Sequence, residues 1–457
     1  MAGLGTALNT AVQAIQANQI GLAVASNNIA NVNTPGYSRQ RAVMQESDSI
    51  GDRIRVGTGV QVVSTQAIRD QILERRLWNE TSAKSASDLT HQSLSDVESI
   101  FDESGDSGLQ PLISNFFLSF QKLSTNPSSP ELRMNVISSA ASLTQFINAR
   151  ANDLQNMKSA ADHAIQSDVI RANTLIGQIA DTSNRIKEAE VTGQPANELR
   201  DRRTGLIKQL SEIMDVHELD SNGTYQLTTG NNRPLVLDGT EIPLSLSVSG
   251  SGQTLVRSGS IDITSEFTGG TLAARVALRD NSIPKFAQSL DQMAYDLASQ
   301  VNQLHSVSYD QDANTGTNFF SPLASATGAA AALQLNPALA ADPRKVAASN
   351  QSSGAGNEAA IALGNLLNTP VGSHGSVIDQ YRSLIFQVGN DTANAEVESD
   401  QHGSLVTQLE NLRASVSGVS IDEETTSILQ FQRAFQASAR IVSTIDELLQ
   451  TTLGMLG

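Results

Sequence analysis

ASNNIANVNTPGYSRQ, residues 25–40, decides how the rest of the chain is read. Asn27, Asn28, Asn31 and Asn33 crowd the end of a helical pattern, and Thr34-Pro35-Gly36-Tyr37 follows. A residue before proline is pushed out of the helical region, so the helix stops by Thr34. Pro35 and Gly36 suit the two central positions of a type II turn, after which YSRQRAVM (37–44) runs extended. Asparagine side chains bond free backbone groups at a helix end. Asn28, Asn31, Asn33, Thr34, Pro35, Gly36 and Tyr37 therefore read as a corner that sets the direction in which the chain leaves the helix.

Working back from the corner, Leu8, Ile15, Leu22 and Ile29 fall seven apart, with Leu4, Ala11, Asn18, Ala25 and Val32 at the alternate position. That is a heptad seam on a helix over about residues 4–31, roughly 42 Å long. The other terminus mirrors it: Ile421, Ile428, Phe435, Val442, Leu449 and Leu456 share a register, with Phe431 and Ile445 between them. Ser420 and Glu423 form a capping box, which starts this helix near residue 421. Two readings stay open. The terminal helices pack on each other inside one subunit, or they also pair between subunits. Favouring the second, a two-helix unit is too thin to hold a core alone, and head-to-tail contacts propagate as rings or filaments. The subunit-interface residues are then Leu8, Ile15, Leu22, Ile29, Ile428, Phe431, Phe435, Val442, Ile445 and Leu449.

Between the termini, residues 131–194 hold no proline and one glycine, Gly177, and Pro130 suits a first helical position. The apolar spacing predicts one helix of about 60 residues there, roughly 90 Å long. Further helices are expected over about 67–103, 196–214, 284–306 and 376–415. Residues 216–268 instead carry short alternating runs bounded by Gly, Asn and Ser, which read as a small antiparallel β insert. Residues 310–356 read as loop-rich. The expected fold is mainly α with a β insert, in nested domains. Residues 1–60 plus 416–457 form a terminal coiled-coil domain, 61–215 plus 270–415 a helical domain, and 216–269 the outer β domain.

Composition narrows the function. The 457 residues carry 47 acidic and 30 basic side chains, a net charge of −17, so neither nucleic acid nor an anionic membrane is an expected partner. There is no cysteine, which excludes disulfides and thiolate chemistry. The N-terminus lacks the basic region and unbroken apolar run of a Sec signal peptide, and no stretch is apolar enough to span a bilayer. The six histidines are scattered without metal-ligand spacing. GTGV (57–60) reads as a turn between strands, DANTGTN (312–318) as a loop without EF-hand spacing, and DEE (422–424) as carboxylates favouring a helix N-terminus. No catalytic, cofactor or metal residues are expected, and the chain reads as a non-enzyme.

At this point the residues match a known pattern. NNIANVNTPGYSRQ (27–40) resembles the N-terminal motif shared by bacterial flagellar rod, hook and hook-associated proteins. SGVSIDEETTSILQFQRAFQASARIVSTIDELLQTTLG (417–454) resembles the C-terminal motif of the hook-associated protein 1 family. Internal stretches narrow the resemblance to that family: ANELRDRRTGLIKQLSEIMDV (196–216) followed by NGTYQL, FTGGTLAARVALRDNSIPKFAQSLDQMAYDLASQVNQLH (267–305) and LQLNPALAADPRKVAAS (333–349). The resemblance implies a structural junction between flagellar hook and filament. The subunit self-assembles into a tube, its terminal helices forming an inner layer and its other domains lying outward. It implies the hook protein and a second hook-associated junction protein as neighbours. Export runs unfolded through the flagellar type III apparatus to an extracellular site, with a dedicated export chaperone on Ile428, Phe431, Phe435, Val442 and Leu449. The Asn-rich corner would set how the terminal helix passes into the next layer. The β insert is shorter than in larger members. The alternatives are another axial protein (hook, rod or second junction protein) or a flagellum-borne adhesin headed by the insert. A wall hydrolase would need converging carboxylates, and no pair proposes itself.

Overall fold

The computed structural model describes residues 2–49, 57–101, 108–221 and 224–455. The seam position Leu456, and Asn222 and Gly223 of the NGTYQL stretch, lie outside the described residues. In chain order, α1 (Ala2–Ala30) leads into an antiparallel hairpin of β1 (Gln40–Glu46) and β2 (Val60–Ala67). Four helices follow: α2 (Gln71–Ile100), α3 (Leu109–Thr125), α4 (Pro130–Ala189) and α5 (Asn197–Ser211). The strands β3 (His217–Ser221), β4 (Thr224–Thr229), β5 (Arg233–Leu237) and β6 (Thr240–Glu241) make one sheet in that order. A second sheet holds β7 (Leu244–Val248), β8 (Thr254–Ser258) and β9 (Ile261–Asp262). Next, α6 (Gly270–Ala277) passes through a π turn at Leu278–Ser282 into α7 (Ile283–His305). The short helices α8 (Ala329–Ala332), α9 (Pro337–Ala341) and α10 (Glu358–Asn365) lead to α11 (Val377–Ser417) and α12 (Ile421–Gly454). The fold is mainly α with a β insert.

The 60-residue α4 begins as its sequence demands: Pro130 needs no hydrogen-bond partner at the first turn, and Ser129 Oγ accepts from Leu132 N at 3.2 Å. Gly177 sits where Glu241 of β6 approaches, so a Cβ there would lie 2.7 Å from the Glu241 carboxylate.

Two hydrophobic cores share α4. The first gathers the C-terminal end of α2, α3, the N-terminal half of α4, α7, residues 319–366 and the start of α11. Its centre is aromatic: Phe116, Phe117, Phe120, Phe319 and Phe320 are all fully buried, with ring centroids of neighbouring pairs 4.9–5.8 Å apart. The expectations above hold no helix at 109–125, although Leu109, Leu112, Ile113, Phe116, Phe120 and Leu123 recur there at helical spacing. The loop-rich stretch 310–356 is irregular yet packs into this core through Phe319, Phe320, Leu333, Leu339 and Val346. The second core joins Trp78, the C-terminal half of α4, α5 and one face of both sheets. The strands thus form two sheets that share a core with α4 and α5.

His305, at the end of α7, is buried between these segments. Its Nδ1 lies 2.7 Å from Thr317 O and its Nε2 accepts from Ala347 N at 2.9 Å, which assigns the proton to Nδ1 in a neutral ring. Burial pushes its pKa down from 6.5 to about 4. The unfolded chain therefore binds a proton between pH 6.5 and 4 that the folded chain refuses, so stability falls as pH falls through that window. Going from pH 7 to pH 5 should cost the helical body about 2 kcal/mol through this one group. Chemical denaturation at the two pH values measures it. His305→Gln should be less stable at pH 7 and lose less on acidification; an unchanged pH slope would contradict the assignment.

Candidate assembly interface

The two ends of the chain meet. α1 packs along α12, and α1 carries no charged side chain anywhere in its 29 residues. The buried residues of α1, which packs on α12 and on the β1–β2 hairpin, are mostly small: Ala11, Ala17, Gly21 and Ala25, ending at buried Asn28. At Gly21 the helices approach so closely that a Cβ would lie 2.6 Å from the Phe431 ring. On α12 the matching seam alternates four and three residues apart: Glu424, Ile428, Phe431, Phe435, Ser438, Val442, Ile445 and Leu449. Glu424, Ser438 and Ile445 are buried and the others half-buried. Among the described residues of α12, only Ser427 and Ala439, which flank this row, are also less than exposed.

The structure thus brings Ile428, Phe431, Phe435, Val442, Ile445 and Leu449 onto one face against α1. It treats Leu8, Ile15, Leu22 and Ile29 differently. These four are half-buried, and Leu22 and Ile29 each stand one position along from a buried contact residue, Gly21 and Asn28. One position is about 100° around a helix, so the large side chains flank the closest contact without filling it. The physical reason is size: a bulky Phe431 needs a glycine opposite, and the small residues let the axes close up. Apolar surface remains uncovered on both helices, with Val12 and Ile20 exposed on α1 and Leu429, Ile441 and Leu448 about half exposed on α12.

Below the coil lies a polar knot built on Asn28, whose side chain is 1% exposed. Its Nδ2 donates to Gln40 O at 2.8 Å and to Glu424 Oε2 at 3.0 Å. Its Oδ1 accepts from Tyr37 OH at 2.8 Å and from Gln40 N at 2.9 Å. One amide therefore uses both donors and both acceptor positions to join α1, the corner, β1 and the first turn of α12. Burial, with the charges of Asp201 and Glu424 nearby, pushes the Tyr37 phenol up to about 12, which keeps its hydroxyl a donor. Arg39 adds Nε to Glu424 Oε1 and Nη1 to Glu423 Oε2, both at 2.6 Å, and its backbone N donates to Ser417 O at 2.9 Å. Ser38 Oγ donates to Asp201 Oδ1 of α5 at 2.6 Å, and Arg69 Nη2 donates to the same oxygen at 2.7 Å. The coil is tied to the helical body through these contacts.

The rest of the corner is local. Asn31 Nδ2 donates to Asn27 Oδ1 at 2.8 Å and Thr34 Oγ1 donates to Asn31 Oδ1 at 3.1 Å. Tyr37 N donates to Thr34 O at 3.2 Å, closing a turn with Pro35 and Gly36 at its centre and Gly36 at φ +82°, the left-handed value a type II turn needs. Asn33 is exposed. Sequence reasoning missed Gly21, Arg39, Gln40, Glu424 and Asp201. A lone glycine inside a helical pattern was the available signal for Gly21; nothing local marks Gln40 and Glu424 as partners of Asn28, Asp201 as the partner of Ser38, or Arg39 as the partner of Glu424.

Elsewhere, Asp310 Oδ1 accepts from Asp312 N and Asn314 N at 2.9 and 2.8 Å, and Arg344 lies 3.3 Å from Asp312. Among the described residues no group of three His, Asp or Glu is placed to hold a metal, and no helix is long and apolar enough to cross a membrane.

Comparison with known proteins follows this layout. A family model for the flagella basal body rod protein matches residues 8–37, most of α1 and the corner. One for the C-terminal part of the flagellar basal body rod FlgEFG proteins matches residues 413–455, the end of α11 and α12. One for the helical domain of the flagellar hook-associated protein FlgK matches residues 94–320. Flagellar hook-associated protein 1 of Bacillus subtilis is 27% identical over 497 residues, covering 98% of each chain. That of Escherichia coli is 25% identical over 547 residues, covering 99% of this chain and 100% of its own. The solved flagellar hook junction protein FlgK from Burkholderia pseudomallei shares the fold, with a TM-score of 0.67 at 15% identity over 75% of this chain and 100% of that one. Models of the rod and hook-associated proteins thus fall on the two halves of the coil and on the body between them, and the chain belongs to the FlgK family of flagellar hook-associated proteins.

Proposed function

We propose that this chain is a structural subunit of the bacterial flagellum that joins hook to filament and is needed for flagellar assembly and motility. The observation that carries the reading is the coil of α1 and α12. It closes through small residues and leaves Leu8, Ile15, Leu22 and Ile29 half-covered. An apolar row flanking a finished contact is what a subunit needs to pair with neighbours, and similarity to hook-associated proteins over nearly the full length supports a place at the junction. In this reading residues 1–60 with 416–457 form the inner layer of a tube, 61–215 with 270–415 the layer around it, and 216–269 the outer surface. The neighbours are further copies, the hook protein and a second junction protein. The chain acts by assembly and carries out no catalysis.

The same reading places the protein outside the cell, exported through the flagellar type III apparatus. A dedicated chaperone would cover Ile428, Phe431, Phe435, Val442 and Leu449 before export, the face that α1 takes once the chain folds. The test is complementation of a non-motile strain lacking its own copy, with the protein labelled. Restored swimming with label at the distal hook tip supports the joining role. Label along the whole hook assigns the chain to another axial role, and a strain that stays non-motile rejects both.

A further inference from the structure

α2 and α11 run antiparallel against each other. Arg413 Nε bonds Glu74 Oε1 at 2.5 Å, His402 Nδ1 lies 2.9 Å from Glu80 Oε2, and Ser399 Oγ donates to Asp88 Oδ1 at 2.6 Å. Each helix also turns a face away from that seam. On α2 it is Ile72, 61% exposed, with Arg75 and Arg76, both exposed. On α11 it is Val397, 65% exposed, with Glu396 and Asp400, both exposed. Ile72 and Arg76 stand two positions either side of Glu74, and Val397 stands two positions before Ser399. Two positions are about 200° around a helix, so the two faces point to opposite sides of the pair.

The faces complement each other. One is an apolar side chain beside two guanidinium groups, the other an apolar side chain beside two carboxylates. Arg76, Glu396 and Asp400 have no ion-pair partner among the described residues, and Arg75 reaches only the carbonyl of Gln71 in its own helix. In a chain of net charge −17, a basic, apolar-centred face is not the ordinary surface. The faces are also offset. Val397 lies sixteen residues before Arg413, the residue that pairs with α2 next to Ile72, a distance of about 24 Å along the axis.

We infer that the α2 face of one copy docks on the α11 face of the next, with Arg75 and Arg76 against Glu396 and Asp400 and Ile72 against Val397. Two different faces on opposite sides of one helix pair make a head-to-tail contact, which does not close as a dimer. With an axial offset of about 24 Å it generates a helical array. The inference rests on the joining role proposed above and names the lateral contact of the helical body.

The chain has no cysteine, so introduced ones report without background. Arg76→Cys and Val397→Cys are placed together in one chain, and separately in two others, and flagella from complemented cells are oxidised. The double variant should give a ladder of dimers, trimers and larger species, while each single variant stays monomeric. Intact, motile flagella whose double variant gives only monomer would overturn the contact and leave the joining role standing. Cross-linking by one single variant, or a product with the mass of a different axial protein, would overturn it too. Arg75→Glu with Arg76→Glu should abolish swimming, and adding Glu396→Arg with Asp400→Arg should restore it; no restoration counts against the contact. Failure of the unaltered chain to restore motility would reject both the joining role and this contact.

Discussion

Asn28→Leu should detach the terminal coil from the helical body while leaving the two cores folded. Leucine keeps the branching of asparagine at Cγ, is somewhat larger, and bonds nothing. The change strips partners from Tyr37 OH, Gln40 N and Gln40 O, and removes one of those on Glu424, in a site that is 1% exposed. A buried group left unpaired costs about 1–3 kcal/mol, so the combined loss should reach about 4 kcal/mol. Tyr37→Phe removes one of the four bonds and should cost about 1 kcal/mol. Hydrogen exchange read by mass spectrometry separates the regions: α1, β1 and the start of α12 should lose protection, while α3 and α4 keep theirs. Uniform loss across the chain, or no loss, would contradict the role given to Asn28. Swimming should fail with Asn28→Leu and survive Tyr37→Phe.

Gly21→Leu acts on the other half of the same unit. A Cβ at Gly21 would sit 2.6 Å from Phe431 Cε1, inside any allowed contact. Either the ring leaves the seam or the helices part, and overpacking of this kind costs about 1–3 kcal/mol. Phe431→Ala alone should loosen the seam by a similar amount through lost burial. Combined, the two changes should cost less than their sum, because leucine fills the space the ring vacates. Denaturation followed by a probe on α12 measures the coupling. Strict additivity would mean that the two positions do not meet in solution.

Much of this was legible in the residues. From Ile428 to Leu449 the heptad row on α12 maps onto its contact face because that row is bulky and leaves little choice of which side to bury; Ile421, at the start of the expected row, is 54% exposed. On α1 the expected row is only partly the contact: Ala11 and Ala25, at its alternate position, are buried, while Leu8, Ile15, Leu22 and Ile29 stay half-buried, because large apolar residues do not mark the seam where glycine makes the closest contact. The length of α4 followed from Pro130 and the absence of breakers. α3 was equally readable from its apolar spacing and went unread because no cap announces it: Gly108 supplies no side chain there. The irregular stretch carrying Phe319 and Phe320 shows the limit of periodicity. Those rings are core residues, but nothing regular around them says so. The polar knot lies further out of reach, because Asn28 and Glu424 are 396 residues apart and only the fold brings them together. Four asparagines near a helix end suggest a corner; they do not say which one is buried.

The most direct test of the account is amide exchange of α1 in the free monomer compared with assembled flagella. If Leu8, Ile15, Leu22 and Ile29 are covered by neighbouring copies, exchange across α1 should slow at least about a hundredfold on assembly, while the already buried middle of α4 changes little. Equal exchange of α1 in both states would mean that no neighbour covers that row, and the coil would then be only the meeting place of one chain's two ends.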